Sequence, residues 1–102
     1  MKKIDNYFIE DFADSIKDIC CEFVKEYNNE VDKGELGFIK SYDKSDAILA
    51  TIHSTFAASL GVYCRIETML DGIIVLYTED KDTFANYNEW LRDYNSKLRK
   101  EA

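Results

Sequence analysis

The stretch VYCRIETMLDGIIVLYT, residues 62–78, decides how this chain is read. Two runs rich in β-branched and aromatic residues flank Asp71-Gly72, a pair that takes the positive φ angles of a tight hairpin turn at little cost. The stretch predicts a β-hairpin with Asp71 and Gly72 as its two loop residues. That turn sets Leu70 against Ile73, Thr68 against Val75 and Ile66 against Tyr77. Side chains alternate across a strand, so Val62, Cys64, Ile66, Leu70, Ile73, Val75 and Tyr77 share one face, which serves as the floor of a core. The opposite face carries Tyr63, Arg65, Glu67 and Met69 against Ile74, Leu76 and Thr78. It is too apolar to stand plainly in water: either a helix covers it, or it is a contact patch for a partner or a second copy of the chain. Arg65 and Glu67 at its centre favour contact, because a dry second core rarely holds both.

Working outward, the rest of the chain reads mostly as helices that need such a floor. Over 5–29, Phe8, Phe12, Ile16, Ile19, Cys20, Phe23 and Tyr27 recur at three- and four-residue steps, one stripe of a helix that Asp5 or Asn6 caps. The run FIKSY at 38–42 reads as an edge strand. Over 46–60, Ile48, Leu49, Ile52, Phe56, Ala57 and Leu60 keep helical spacing and Gly61 stands where a helix stops. Ile48, Ala50 and Ile52 also alternate, so 47–53 has a competing reading as a strand paired with 36–42. A third helix runs over 82–99, with acids at its start, bases at its end, and Phe84, Tyr87, Leu91, Tyr94 and Leu98 inward. The fold class is α+β: three helices packed on a small antiparallel sheet in the order α-β-α-β-β-α, or α-β-β-β-β-α if the middle segment is a strand. At 102 residues this is one domain over 1–102, long enough for a core without metal or disulfide staples.

Charge and cysteines narrow the function classes. Thirteen basic and twenty acidic residues leave a formal charge of −7, which disfavours direct binding to nucleic acid or to anionic membranes. Cys20, Cys21 and Cys64 are odd in number and lack metal-ligand spacing, pointing to a reduced, cytoplasmic setting; Cys21 faces outward as a free thiol. No apolar run is long enough for a membrane span or a leader segment. His53, the only histidine, has no nucleophile placed beside it by any motif and sits at the margin of its helical stripe, where a half-buried structural imidazole is the ordinary outcome. The four glycines form no phosphate cradle, and DKDT at 80–83 lacks the glycine and distal glutamate of a calcium loop. No cofactor or metal is implied.

What stands out is a row of acids. Tyr7, Asp11, Asp14, Asp18 and Glu22 fall within one narrow arc of the first helix, away from its apolar stripe, and residues 5–30 hold eight acids and two lysines. The simplest reading is a solvated face that aids solubility. A small, acidic, proline-free chain without catalytic motifs also resembles, in size and composition, proteins that phages and mobile elements use to block host nucleases, including some anti-CRISPR inhibitors. That resemblance implies a non-enzymatic inhibitory domain. Read from the residues themselves, the row would occupy a basic, nucleic-acid-binding surface of a partner with Tyr7 as an anchor, and the hairpin residues Tyr63, Arg65, Glu67 and Leu76 form a further contact patch. Two other classes remain: an acidic chaperone or adaptor that dimerises through the exposed hairpin face and binds a client segment, and a small enzyme built on His53.

Overall fold

In the computed structural model, residues 1–101 are described, with side chains for 1–7 and 9–94. The elements are α1 (Asp14–Asp32), β1 (Gly37–Tyr42), α2 (Ala47–Ser59), β2 (Tyr63–Met69), β3 (Gly72–Thr78) and α3 (Lys81–Glu101). Short 3-10 turns at Asn6–Ile9 and Lys44–Asp46 precede α1 and α2. This is the predicted α+β order, and the strand alternative for 47–53 is excluded. Gly61 ends α2 as expected: at φ +87° it lets its own amide reach the Ala58 carbonyl at 3.1 Å while the Val62 amide reaches that of Ala57 at 3.1 Å. Those two bonds satisfy carbonyls that the helix end would otherwise orphan.

The sheet is antiparallel in the order β1-β3-β2, so β1 is an edge and β3 the middle strand. In the hairpin Met69 pairs with Gly72, Thr68 with Ile73 and Ile66 with Val75. The loop residues are therefore Leu70 and Asp71, one position earlier than Asp71-Gly72. Neither has a positive φ, and Leu70 stands 96% exposed rather than on the core face. The pairing has slipped by two residues, and an even slip keeps the alternation of the two faces. Ile66, however, also expected in the floor of the core, stands 45% exposed on β2 at the sheet edge. Gly72 is needed for a different reason than turn geometry. A Cβ there would lie 2.7 Å from the carbonyl oxygen of Tyr42, where the end of β1 pairs with the start of β3.

One face of the sheet carries α1 and α2. Phe23 is the hub of this layer, its ring 4.8 Å from that of Tyr77, 5.0 Å from His53 and 5.9 Å from Tyr27, with Phe38 and Phe56 at 6.4 and 6.3 Å. Rings at these separations gain beyond their buried area. The other face carries α3. Asp80 starts that helix by accepting from the amide and hydroxyl of Thr83 at 2.9 and 2.5 Å, Phe84 stacks on Tyr63 at 5.2 Å, and Leu76 and Leu91 are buried. The hairpin's second face is thus covered around Leu76, with Tyr63 and Arg65 still partly exposed, and the sheet is a middle layer. The expected inward side chain of Leu98 lies outside the described residues.

The first helix is shorter than its spacing predicts. It begins at Asp14, not near residue 5, because the preceding arm is held in another shape. Asp5 caps only the 3-10 turn, accepting from the Tyr7 amide at 3.0 Å, and the Asn28 side chain clamps the backbone of Ile4 through both its amide and its carbonyl, at 2.8 and 3.1 Å. Ile4 and Ile9 enter the core from this arm, while Phe12 is partly exposed. The side chain of Phe8, expected inward, lies outside the described residues. Replacing Gly72 with alanine forces its new methyl against backbone rather than against a yielding side chain. The expected loss is about 1–3 kcal/mol, read as a lower urea midpoint with an unchanged slope.

Candidate functional site: the acidic face of the first helix

Along α1 an acid occurs at every fourth position: Asp14, Asp18, Glu22, Glu26 and Glu30. Each step rises about 6 Å and turns about 40°, so the row climbs the helix as a slow spiral. Its two halves differ. Glu26 is held by Lys40 of β1 at 2.6 Å, and Glu30 by Lys33 at 3.3 Å. Asp14, Asp18 and Glu22 are exposed, and among the described residues none of them is in an ion pair. Three outward carboxylates thus span about 12 Å of helix. Like charges four residues apart each cost a helix about 0.2–0.5 kcal/mol, which the helix dipole offsets only near Asp14 in the first turn.

The structure brings together some of the predicted site and separates the rest. Because α1 starts at Asp14, Tyr7 and Asp11 are not part of the helical row: Tyr7 sits in the 3-10 turn, 71% exposed, and Asp11 in the bend that follows. Both remain near the start of α1, but no helical arc aligns them with Asp14, Asp18 and Glu22. Of the hairpin residues, Tyr63 is stacked on Phe84, and Arg65 lies 3.5 Å from Glu67. Leu76, expected on an exposed contact face, is only 3% exposed beneath α3. The apolar stripe of α3 needed a floor as much as that of α1 did, and it took the hairpin's second face.

His53 is also placed differently from the expectation of a half-buried margin. It is 2% exposed, with Nε2 3.2 Å from the Ile19 carbonyl and Nδ1 2.8 Å from the Tyr42 hydroxyl. Burial pushes its pKa below the ordinary imidazole value, with the Ile19 carbonyl pulling the other way. Both ring nitrogens are committed to the fold, so the imidazole is a core fastening. Cys64 is pushed up to about 11 by burial, and Cys20 is likewise raised, with neighbouring Cys21 adding to the effect; both behave as small apolar residues.

One surface feature was not singled out from the sequence. A groove of about 340 Å³ between the start of α1 and α2 is lined by Phe12, Ile16, Cys20, Thr51, Ile52, Thr55, Phe56 and Ser59. The signal was available: residues 47–64 contain no Asp, Glu, Lys or Arg, an unusual run in a chain that is 32% charged. A second cavity, of about 360 Å³, opens between the end of β1 and the hairpin tip, with Lys40, Asp43, Asp46 and Asp71 on its wall. Among the described residues no three His, Cys, Asp or Glu side chains gather as metal ligands, and no helix is long and apolar enough to cross a membrane. Comparison with protein-family models, with curated proteins and with solved structures gave no match.

The unpaired half of the row carries a measurable penalty. Asp18→Lys turns two repulsive four-residue steps into attractive ones, and the step from Asp14 places the acid ahead of the base, the better of the two orders. It is expected to raise stability by about 1 kcal/mol at low ionic strength, a Tm gain of roughly 4–8 °C that shrinks at high salt. No gain in thermal melts at low salt would mean that the three carboxylates do not repel one another.

Proposed function

We propose that this protein is a non-enzymatic binding domain that blocks a basic, nucleic-acid-binding surface of a partner protein in the cytoplasm, with the unpaired carboxylates of α1 as its charged contact. The observation that carries this reading is the alignment of Asp14, Asp18 and Glu22, outward and without an ion pair among the described residues. One carboxylate per about 6 Å is close to every second phosphate of a single DNA strand, whose charges lie about 3.4 Å apart. Such a row steers encounter with a basic groove but is too sparse to replace a duplex by itself, so uncharged contacts must supply residence time. Exposed Tyr7, beside the start of α1, is one such contact. Asp11, just before the helix, adds charge at the same end. The resemblance in size and composition to phage and mobile-element inhibitors of host nucleases points the same way.

The apolar groove favours a second reading, an acidic adaptor that binds a client segment between α1 and α2. That version does not use the hairpin face for dimerisation, since α3 occupies it. The two readings separate in a capture experiment from host lysate along a salt series, comparing the parent chain with Asp14→Lys/Asp18→Lys/Glu22→Lys. Blocking of a basic surface requires that a nucleic-acid-binding protein be retained at low salt and released as salt rises, with retention reduced roughly tenfold or more in the variant. Equal retention of the same protein by parent and variant, at every salt concentration, would remove the row from the contact.

A further inference from the structure

The direction of every proton in the buried polar chain can be assigned from one group. The carbonyl of Ile19 can only accept, so Nε2 of His53 carries the hydrogen in that 3.2 Å contact. In the neutral ring Nδ1 is then the bare acceptor, and the Tyr42 hydroxyl, 2.8 Å away, must donate to it. The Tyr42 oxygen is left to accept from the Tyr77 hydroxyl, also at 2.8 Å. Tyr77 of β3 thus donates to Tyr42 of β1, Tyr42 to His53 of α2, and His53 to the backbone of α1. All three side chains are buried, and the Phe23 ring closes over the imidazole at 5.0 Å.

We propose that this chain is an acid-sensitive latch: a proton added to His53 reverses it and destabilises the folded core. The only open position for the proton is Nδ1. Once Nδ1 is a donor, Tyr42 must accept from it and turn its own hydrogen toward Tyr77. The Tyr77 hydroxyl can then no longer donate to Tyr42, and among the described residues no other acceptor within hydrogen-bond distance receives its hydrogen. Protonation strands a donor and places a charge in the core, both costly where water cannot compensate. All three bonds persist with the first two reversed, so the cost falls on the buried charge and on the stranded Tyr77 hydrogen of β3.

The groups facing the latch do not rescue the charged form. Lys40 of β1 opposes a proton on the ring, whereas Glu26 and Glu22 of α1 favour it; Glu26 is already bound to Lys40. α2 itself offers no charged side chain, and β2 contributes Cys64, whose thiol stays neutral because burial lifts it to about 11. Burial also lifts Tyr42 to about 12 and raises Tyr77, so neither ionises in mild acid. Histidine is the side chain whose ordinary value falls between pH 5 and 8, and this chain has one.

The sign follows from linkage. With the folded value below the unfolded one, the unfolded chain binds the proton first, and stability is full above about 6.5 and declines below it. Urea titrations of the intact chain from pH 7 to 5 are expected to show the folding constant falling about threefold between pH 7 and 6 and approaching tenfold per unit below that, levelling once the folded imidazole titrates. His53→Gln is expected to flatten that slope. NMR titration of the His53 ring in the folded parent provides a readout that needs no variant, and it decides alone should His53→Gln not fold. A native ring that titrates at or above 6.5, a folding constant that stays flat from pH 7 to 5, or a His53→Gln chain with the parental slope would each overturn the latch.

Discussion

The structure depends on the burial of one strand on both faces. β3 is flanked by β1 and β2, and its side chains alternate between two separate apolar layers. Ile73, Val75 and Tyr77 point into the layer built by α1, α2 and the N-terminal arm, while Leu76 faces the side covered by α3. A strand with both faces occupied cannot slide by one residue without exchanging its two cores. That constraint holds the register, and the register in turn places Tyr77 beside Tyr42 and Tyr42 beside His53. The polar chain is therefore a product of strand pairing, and it fastens helices to strands at the centre of the larger core.

What could be read in the sequence follows from the range of the forces involved. Amphipathic spacing is a local property, so three helices and the hairpin were legible, as was the stop at Gly61. The choice of helix for 47–59 over a strand was also local, resting on spacing and on the alanines. Long-range packing was not legible. Nothing in residues 5–13 announces that Asn28 will clamp Ile4, yet with that clamp in place the helix starts only at Asp14, which removes Tyr7 and Asp11 from the acidic row. From the sequence alone Gly72 reads as a turn glycine, because turns are the commoner cause. Its actual constraint is the Tyr42 carbonyl, distant in sequence, which only the sheet order reveals.

The same contrast runs through the candidate site. The charges of Asp14, Asp18 and Glu22 were visible as a row because helical spacing alone aligns them. The pairing of Glu26 with Lys40 depended on β1 lying beneath α1, and the burial of Leu76 on α3 crossing the second face. The resulting surface is divided. The outward side of α1 is acidic, whereas α2 bears no formal charge and borders an apolar groove. Repulsion within the row is tolerated because α1 is anchored by its opposite stripe, where Cys20, Phe23, Val24 and Tyr27 are buried. Packing of that stripe, at about 1.5–3 kcal/mol for each large apolar side chain, outweighs a few tenths per like-charged pair.

Amide hydrogen exchange tests the central claim about β3 most directly. If double-sided burial organises the fold, the amides of Ile74 to Tyr77 exchange only through global unfolding and are the most protected in the molecule, with the outward turns of α1 opening at lower free energy. Exchange of β3 through local opening, or α1 amides that outlast it, would contradict a fold built around the middle strand.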